Sequence, residues 1–247
     1  MKLALLTDIH ANREAFTACL AHAEAQQADQ YAFTGDFVGY GADPAWVIDK
    51  VMQYVDKGAV VVQGNHDIAA TRDARSTMHA EAREVIAWTR GQLSTQQVNF
   101  LAELPLTREK NDMLFVHASA NSPAKWQYVT GIYEAEVSLS ATACKMVFSG
   151  HVHAPALYRR AEDGKMGAHT PSPGKKIPLH AQHQYLVIPG SVGQPRDGNS
   201  EACYAIYDDV ARELSYFRVP YDHGAAARRV IAAGLPIVFA MRLIEGI

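Results

Sequence analysis

Five short apolar runs punctuate the first 150 positions of the chain: Leu3 to Leu6, Tyr31 to Phe33, Ala59 to Val62, Met113 to Val116 and Met146 to Phe148, with a sixth at Tyr185 to Ile188. Runs this short, apolar without alternation, predict strands buried on both faces. Between the second and third, Asp43 as N-cap, Pro44 at the first helical position, an apolar stripe at Val47, Ile48, Val51, Met52 and Val55, and Gly58 as stop predict a helix. Phe16, Cys19, Leu20 and Ala23 lie at helical spacing within Ala15 to Ala25, so the first 62 residues read β-α-β-α-β. Such crossovers imply a parallel sheet. Met78 to Arg90 predicts a helix ending at Gly91, and Ser94 with Gln97 three residues on is a capping box opening another that stops before Pro105.

The second half changes character. Strand-like pieces at Ala156 to Arg160 and Ala202 to Tyr207 are separated by turn chemistry at Glu162-Asp163-Gly164, Pro171 to Gly174 and Gly198-Asn199, which predicts hairpins. From Asp222 an Ala- and Arg-rich helix runs to a break at Gly234-Leu235-Pro236 and resumes to the C-terminus. With no repeat, low-complexity tract or linker, the expectation is one domain over 1–247. A helical insertion would occupy about 68–110 and C-terminal helices about 222–246.

Composition narrows the function class. A net charge of −3, from 23 Lys+Arg against 26 Asp+Glu, leaves no basic track for a nucleic-acid backbone or an anionic membrane. Any phosphate-bearing ligand therefore needs local positive charge. Only Leu3 to Leu6 precede Asp8, too short for a signal-peptide core, and no apolar stretch approaches the roughly 20 residues that span a bilayer. A cytoplasmic location is expected. Cys19, Cys144 and Cys203 are odd in number and sit in apolar or helical contexts, which predicts reduced, packed thiols.

The chemistry is positional. Each of the first five strand runs is followed within one to three residues by groups that bind metal or titrate: Asp8 and His10, Gly35-Asp36, Gly64-Asn65-His66-Asp67, His117, and Gly150-His151-Val152-His153. Open α/β sheets bind ligands beyond the carboxyl ends of their strands, so five segments would deliver imidazoles, carboxylates and an amide to one rim. Nitrogen and oxygen donors without thiolate suit manganese, iron, nickel or catalytic zinc and argue against a structural zinc cluster. The candidates Asp8, His10, Asp36, Asn65, His117, His151 and His153 are too many for one tetrahedral ion and suit two divalent ions sharing a carboxylate. Packing such groups together without metal would bury like charges and half-satisfied polar atoms. The glycines before Asp36, Asn65 and His151 permit tight turns and close backbone approach.

These residues resemble the calcineurin-like metallophosphoesterase superfamily, whose pattern D-x-H, G-D, G-N-H-[DE], H, G-H-x-H is filled at every ligand position. The resemblance runs over about residues 1 to 199. Gly35 to Gly41, Gly190 to Gly198 and Ala233 to Pro236 are similar to a bacterial subgroup related to dinucleoside tetraphosphate hydrolases. It implies an α-β-β-α sandwich of two mixed sheets flanked by helices. It further implies that Asp8, His10, Asp36 and His153 hold one ion and Asp36, Asn65, His117 and His151 the other, manganese being favoured. His66 would approach the phosphate, with Asp67 orienting its imidazole and raising its pKa. Gly39-Tyr40-Gly41 stands where Ser/Thr protein phosphatases carry Asp-Arg-Gly, removing a phosphate-gripping arginine and demoting that reading.

The expected activity is hydrolysis of a small-molecule phosphate ester or nucleotide by hydroxide generated at the two ions. A dinucleoside polyphosphate hydrolase, a nuclease and a catalytically silent metal-binding scaffold stand behind it. Arg196 is a further candidate for substrate binding, weighed against pairing with Asp197 or Glu201. Arg72, Arg75 and His79 are open between pocket wall and solvated helix face. His180 and His183, just before the sixth strand, are candidates for proximity to the metals. The sequence leaves the oligomeric state open.

Overall fold

The expected crossovers form first. In the computed structural model, which describes residues 1–72 and 79–247, β1 (Lys2–Leu6), α1 (Arg13–Ala25), β2 (Gln30–Phe33), α2 (Pro44–Val55) and β3 (Val60–Val61) follow in order. Their three strands pair in parallel. Next come α3 (Asn65–Thr71), α4 (Ala80–Gln92) and α5 (Thr95–Glu103), then β4 (Thr107–Lys110), β5 (Met113–Val116), α6 (Ile132–Ser140) and β6 (Met146–Phe148). The second half supplies β7 (Ala156–Arg160), β8 (Met166–His169), β9 (Lys176–Pro178), β10 (Gln184–Ile188), β11 (Ala202–Asp208) and β12 (Glu213–Val219), and the helices α7 (His223–Ala232) and α8 (Ile237–Glu245) close the chain.

The strands form two six-stranded mixed sheets, ordered β3-β2-β1-β11-β12-β9 and β4-β5-β6-β10-β7-β8. The hairpin chemistry of the second half appears as the antiparallel pairs β7–β8 and β11–β12. Side-chain alternation explains why the central strands read as unbroken apolar runs. Leu3 and Leu5 enter the core between the sheets with Phe115, Phe148, Val187 and Tyr216, whereas Ala4 and Leu6 face α1 and α2 through Phe16, Val47 and Ile48. On the other sheet Leu114, Val116, Val147 and Leu186 face outward onto Ala135 and Leu139 of α6. Helix, sheet, sheet and helix therefore stack as four layers. A fourth cluster joins Val85 of α4 to Ala227, Val230, Phe239 and Leu243 of α7 and α8.

Several local expectations are corrected. Asp43 precedes α2 but makes no side-chain cap; its carboxylate receives Arg229 Nε of α7 at 2.6 Å. The Ser94 and Gln97 box forms as expected, with Ser94 N donating to Gln97 Oε1 at 3.0 Å. Gly91 lies inside α4, which runs to Gln92, and the expected start at Met78 falls outside the described residues. The strand β4 was not expected, because Thr107-Arg108-Glu109-Lys110 is exposed throughout and carries no apolar face. Charged side chains of this kind blunt a sheet edge against further pairing. The helix α6 was also not expected; its buried face is made of small residues, Ala135 and Ser138, with Leu139.

Phe148 is fully buried, with ring centroids 5.2 Å from Phe115 and 5.8 Å from Tyr207 of the facing sheet. Phe148→Ala is expected to cost about 3–5 kcal/mol through lost burial and a residual cavity. Urea unfolding of the two proteins measures it, and a loss below about 1 kcal/mol would mean that the intersheet core collapses around the gap.

Candidate metal centre

The carboxyl ends of β1, β2, β3, β5 and β6 meet at one edge of the sandwich. The turn after β1 is tied to its neighbours by backbone bonds from Asp8 N to Gly35 O at 3.1 Å, His10 N to Asp36 O at 2.9 Å and Gly193 N to Asp8 O at 2.9 Å. From the other sheet, His151 N donates to Asp8 Oδ2 at 2.9 Å, and His117 Nδ1 meets Thr34 O at 2.8 Å. All the sequence candidates for metal ligation come together here. Asp8, His10, Asp36, His117, His151 and His153 are at most 6% exposed, and Asn65, the first residue of α3, is half-buried.

The backbone is strained at this edge. Asp8, His10, Asp36, His151 and His153 all have positive φ, between 48° and 70°. For residues with a Cβ this region costs roughly 1–2 kcal/mol each and persists only where surrounding bonds over-determine it. The cross-loop bonds just described supply that restraint. Gly35, at φ 90°, lies so close to the neighbouring loop that a Cβ would sit 2.7 Å from Gly64 N.

Second-layer contacts turn the imidazoles inward. Nδ1 of His10, His117 and His153 lies 3.1, 2.8 and 2.6 Å from the carbonyls of Val38, Thr34 and Gln194. A carbonyl only accepts, so each Nδ1 carries the hydrogen and each Nε2 faces the centre. There His10 Nε2 lies 3.1 Å from His153 Nε2, which is 3.2 Å from Asp8 Oδ1. Beside them His117 Nε2 lies 3.2 Å from His151 Nδ1, 3.2 Å from Asn65 Oδ1 and 3.3 Å from Asp36 Oδ2. Asp36 Oδ2 is also 3.8 Å from His10 Nε2, so its carboxylate touches both groups. Ligand atoms of Asp8, His10 and His153, and of Asp36, His117 and His151, each converge within 4.8 Å. Facing lone pairs at such separations repel unless a proton or a cation lies between them, and the donor set fits borderline divalent metal.

Charge in the cluster is unevenly distributed. Burial opposes ionisation of Asp8, but the imidazoles of His153 and His117 hold it well below the usual carboxylate range. Asp36 is likewise held low, against burial, chiefly by His117 and His66. Burial, reinforced by His153, pushes His10 down, and burial with His117 lowers His151 to about 3. His117 rises to about 9 because Asp36 and Asp8 outweigh its burial. Protons and metal compete for the same inward nitrogens.

His66 and Asp67 depart from expectation. Asp67 does not orient His66. Its carboxylate receives four backbone N–H groups, from Asp36, Phe37 and Gly64 at 2.8 Å and Val38 at 3.4 Å, and so ties the loop after β2 to the start of α3. His66 Nδ1 is buried with no hydrogen-bond partner, and its ring packs on Tyr40 and His10 at 4.5 and 5.0 Å. Gly39 lies directly against that nitrogen, where any Cβ would collide with it. Nor is the His66 pKa raised: burial lowers it to about 4, with Asp36 opposing.

Arg196 points into the site. It pairs with neither Asp197, which is taken by Arg218, nor Glu201; its Nη2 donates to Gln194 Oε1 at 2.9 Å and its guanidinium lies 5.5 Å over the Tyr40 ring. Arg72 and His79 line a cavity of about 500 Å³ over the cluster, and Arg75 lies outside the described residues. His180 and His183 are not near the cluster. They share a separate cavity with Tyr185, at the start of β10, whereas the end of β10 leads to the site. Tyr40, Trp126 and Tyr128 also line the main cavity. Of these, sequence reasoning noted Tyr40 only as a missing arginine and passed over the other two. The loop that follows β5 and His117 was the available signal.

The model of the calcineurin-like phosphoesterase superfamily domain matches residues 1–211. The chain belongs to this superfamily. Across nearly its whole length it is 31% identical to the uncharacterized protein MJ0912 of Methanocaldococcus jannaschii, covering 99% of this chain and 98% of that one. A metallophosphoesterase from Sphaerobacter thermophilus superposes with a TM-score of 0.89 at 31% identity, covering 100% of this chain and 99% of that one. The hypothetical protein PH1004 of Pyrococcus horikoshii shares the fold, with a TM-score of 0.81 at 18% identity over 99% of this chain and 98% of its own. This phosphoesterase is accordingly a phosphoester hydrolase of a metal-dependent family. Among its described residues no helix is long and apolar enough to cross a membrane.

The role of Asp67 in bracing the loop makes a distinguishing prediction for this phosphoesterase. Asp67→Asn turns one acceptor oxygen into an NH2 group and leaves the two backbone N–H groups on that side without an acceptor, and is expected to cost about 2–3 kcal/mol of stability and to lower metal content through the displaced Asp36. Urea unfolding and elemental analysis test it. Unchanged stability and metal with reduced turnover would instead assign Asp67 to His66.

Proposed function

We propose that this phosphoesterase hydrolyses a small-molecule phosphate ester or nucleotide at two divalent ions, with manganese the favoured metal. Asp8, His10, Asp36 and His153 would hold one ion and Asp36, Asn65, His117 and His151 the other, Asp36 being shared. When bound, the pair supplies Lewis acidity, activating water near neutral pH and offsetting charge on the phosphoryl oxygens. The observation that carries this reading is the pair of inward groups joined at Asp36, with His10 Nε2 facing His153 Nε2 at 3.1 Å and the hydrogens of both rings committed to carbonyls.

The chain's own groups do the rest. His66, buried at the cavity floor and neutral by its surroundings, offers a ring N–H to a phosphoryl or leaving-group oxygen. Arg196, preset by Gln194 and Tyr40, brings a guanidinium with an unpartnered, buried Nε to the same cavity. Fixing a cation in advance lets it grip phosphate with little further loss of side-chain entropy. Asp67 acts at one remove, holding the loop that presents Asp36.

On the manganese-loaded protein, His66→Ala is expected to lower kcat for an aryl phosphodiester by about 10²–10⁴-fold with metal content intact. Loss of metal in that variant would make His66 a ligand. Asp36→Ala should lose both ions and all turnover. Metal at 100 times its dissociation constant should stabilise the native protein by about 2.7 kcal/mol, read as a higher unfolding midpoint that chelation reverses. A midpoint indifferent to metal would remove the proposed centre.

A further inference from the structure

The metal cluster occupies only the floor of the cavity, and one wall has no part in the chemistry so far. It is built by the loop between β5 and α6, which places Lys125, Trp126 and Tyr128 along the opening. Tyr128 lies flat on His151, with ring centroids 3.9 Å apart and planes 16° from parallel, yet remains 51% exposed. An amphipathic ring left half open over a metal-facing imidazole extends the floor of the site as a stacking surface. Trp126 adds a second ring to the same wall. Its Nε1 is buried with no acceptor, while its ring meets His117 edge-on at 5.9 Å. Buried indole N–H groups ordinarily find a partner.

The backbone carries the same signature. Trp126 and Ser122, on either side of the short helical turn Pro123–Lys125, both adopt the left-handed conformation, at φ 55° and 57°. Strain at two residues with Cβ atoms, in a loop presenting two aromatic rings to a cavity, is characteristic of binding walls. The cavity of about 500 Å³ lies within the range that encloses a nucleotide-sized ligand.

We infer that the wall carrying Tyr128 selects phosphate esters bearing a flat aromatic group, in the manner of a nucleoside base, with that ring stacked on Tyr128. The inference rests on the proposed phosphoesterase centre for the placement of the phosphate. Bare sugar phosphates and alkyl phosphates fit the metal floor but leave the open face of Tyr128 without a partner. The rim cations Lys125 and Arg72 add affinity for anions generally and do not discriminate among these groups.

Adenosine 5′-monophosphate and ribose 5-phosphate share phosphate and sugar and differ in the base. Their dissociation constants on the manganese-loaded protein are measured by titration calorimetry. The nucleotide should bind about tenfold more tightly, as expected for one base–aromatic stack. Tyr128→Ala should raise its dissociation constant by about tenfold while leaving that of ribose 5-phosphate and the metal content unchanged, and Tyr128→Phe should retain wild-type binding. Equal affinities in the wild type, or equal weakening of both ligands by Tyr128→Ala, would overturn the inference. Selective nucleotide binding without hydrolysis of any ester would support the wall and instead overturn the hydrolytic reading.

Discussion

Two imidazole nitrogens, His10 Nε2 and His153 Nε2, face each other at 3.1 Å in the centre of a buried site. Each ring has its hydrogen committed to a backbone carbonyl on the far side, Val38 for one and Gln194 for the other. Both lone pairs are therefore directed at the same point, and two carboxylates add further negative potential beside them. Protein interiors do not maintain such an arrangement through their own packing, because neither apolar contacts nor neutral hydrogen bonds satisfy converging acceptors. A cation does. The carbonyl bonds are thus as functional as the ligands, since they fix which nitrogen is available and hold the ring in the plane where it is needed.

The surrounding architecture reads as a frame for that repulsion. Left-handed conformations at Asp8, His10, Asp36, His151 and His153 bend the chain sharply just past the strand ends, so that each side chain turns back toward the edge. These bends oppose folding locally and are held by bonds between loops from different strands. Asp67 is the densest of the braces, gathering four N–H groups from two loops on one buried carboxylate. Its own charge is disfavoured by burial and by Asp36, which together push its pKa up to about 7 against the bonds it accepts. The brace and the ligand it serves are electrostatically opposed and structurally inseparable.

Much of this was legible in the sequence for a specific physical reason. Strands buried on both faces have to be apolar at every position, so the metal-capable residues found one to three positions past each run sit where the strand ends and the chain turns. In a sheet with parallel strands, those ends share an edge. That reasoning located Asp8, Asp36, Asn65, His117 and His151 without coordinates. It failed for Asp67, because neighbours in sequence on a helix point about 100° apart; with His66 turned to the cavity, Asp67 faces the loop after β2 instead. Trp126 and Tyr128 were passed over for a different reason. Their loop has no periodicity and no motif of metal-ligating residues past His117, and only the fold brings it over His151. The exposed edge strand β4 and the small-residue helix α6 escaped because neither has the apolar stripe on which pattern reading depends.

The C-terminal helix reaches the candidate site through aromatic contact. Phe239 of α8 packs on Tyr40 at 4.8 Å, and Tyr40 in turn packs on both His66 and His10 and carries Arg196 over its ring. Protein phosphatases of the superfamily resemble this chain in the preceding Gly-Asp but carry Asp-Arg at these two positions. Substituting Gly39 and Tyr40 removes a charged partner and a guanidinium, and the ring contributes shape where they contributed charge. In the proposed site Arg196 brings a positive group from a loop far along the chain, held by Gln194 and lying over the Tyr40 ring. That guanidinium comes from a different part of the fold, with Phe239 of α8 packed against Tyr40. In the proposed reading, phosphate recognition would depend on packing between α8 and the loop after β2 as much as on the groups proposed to meet the metal.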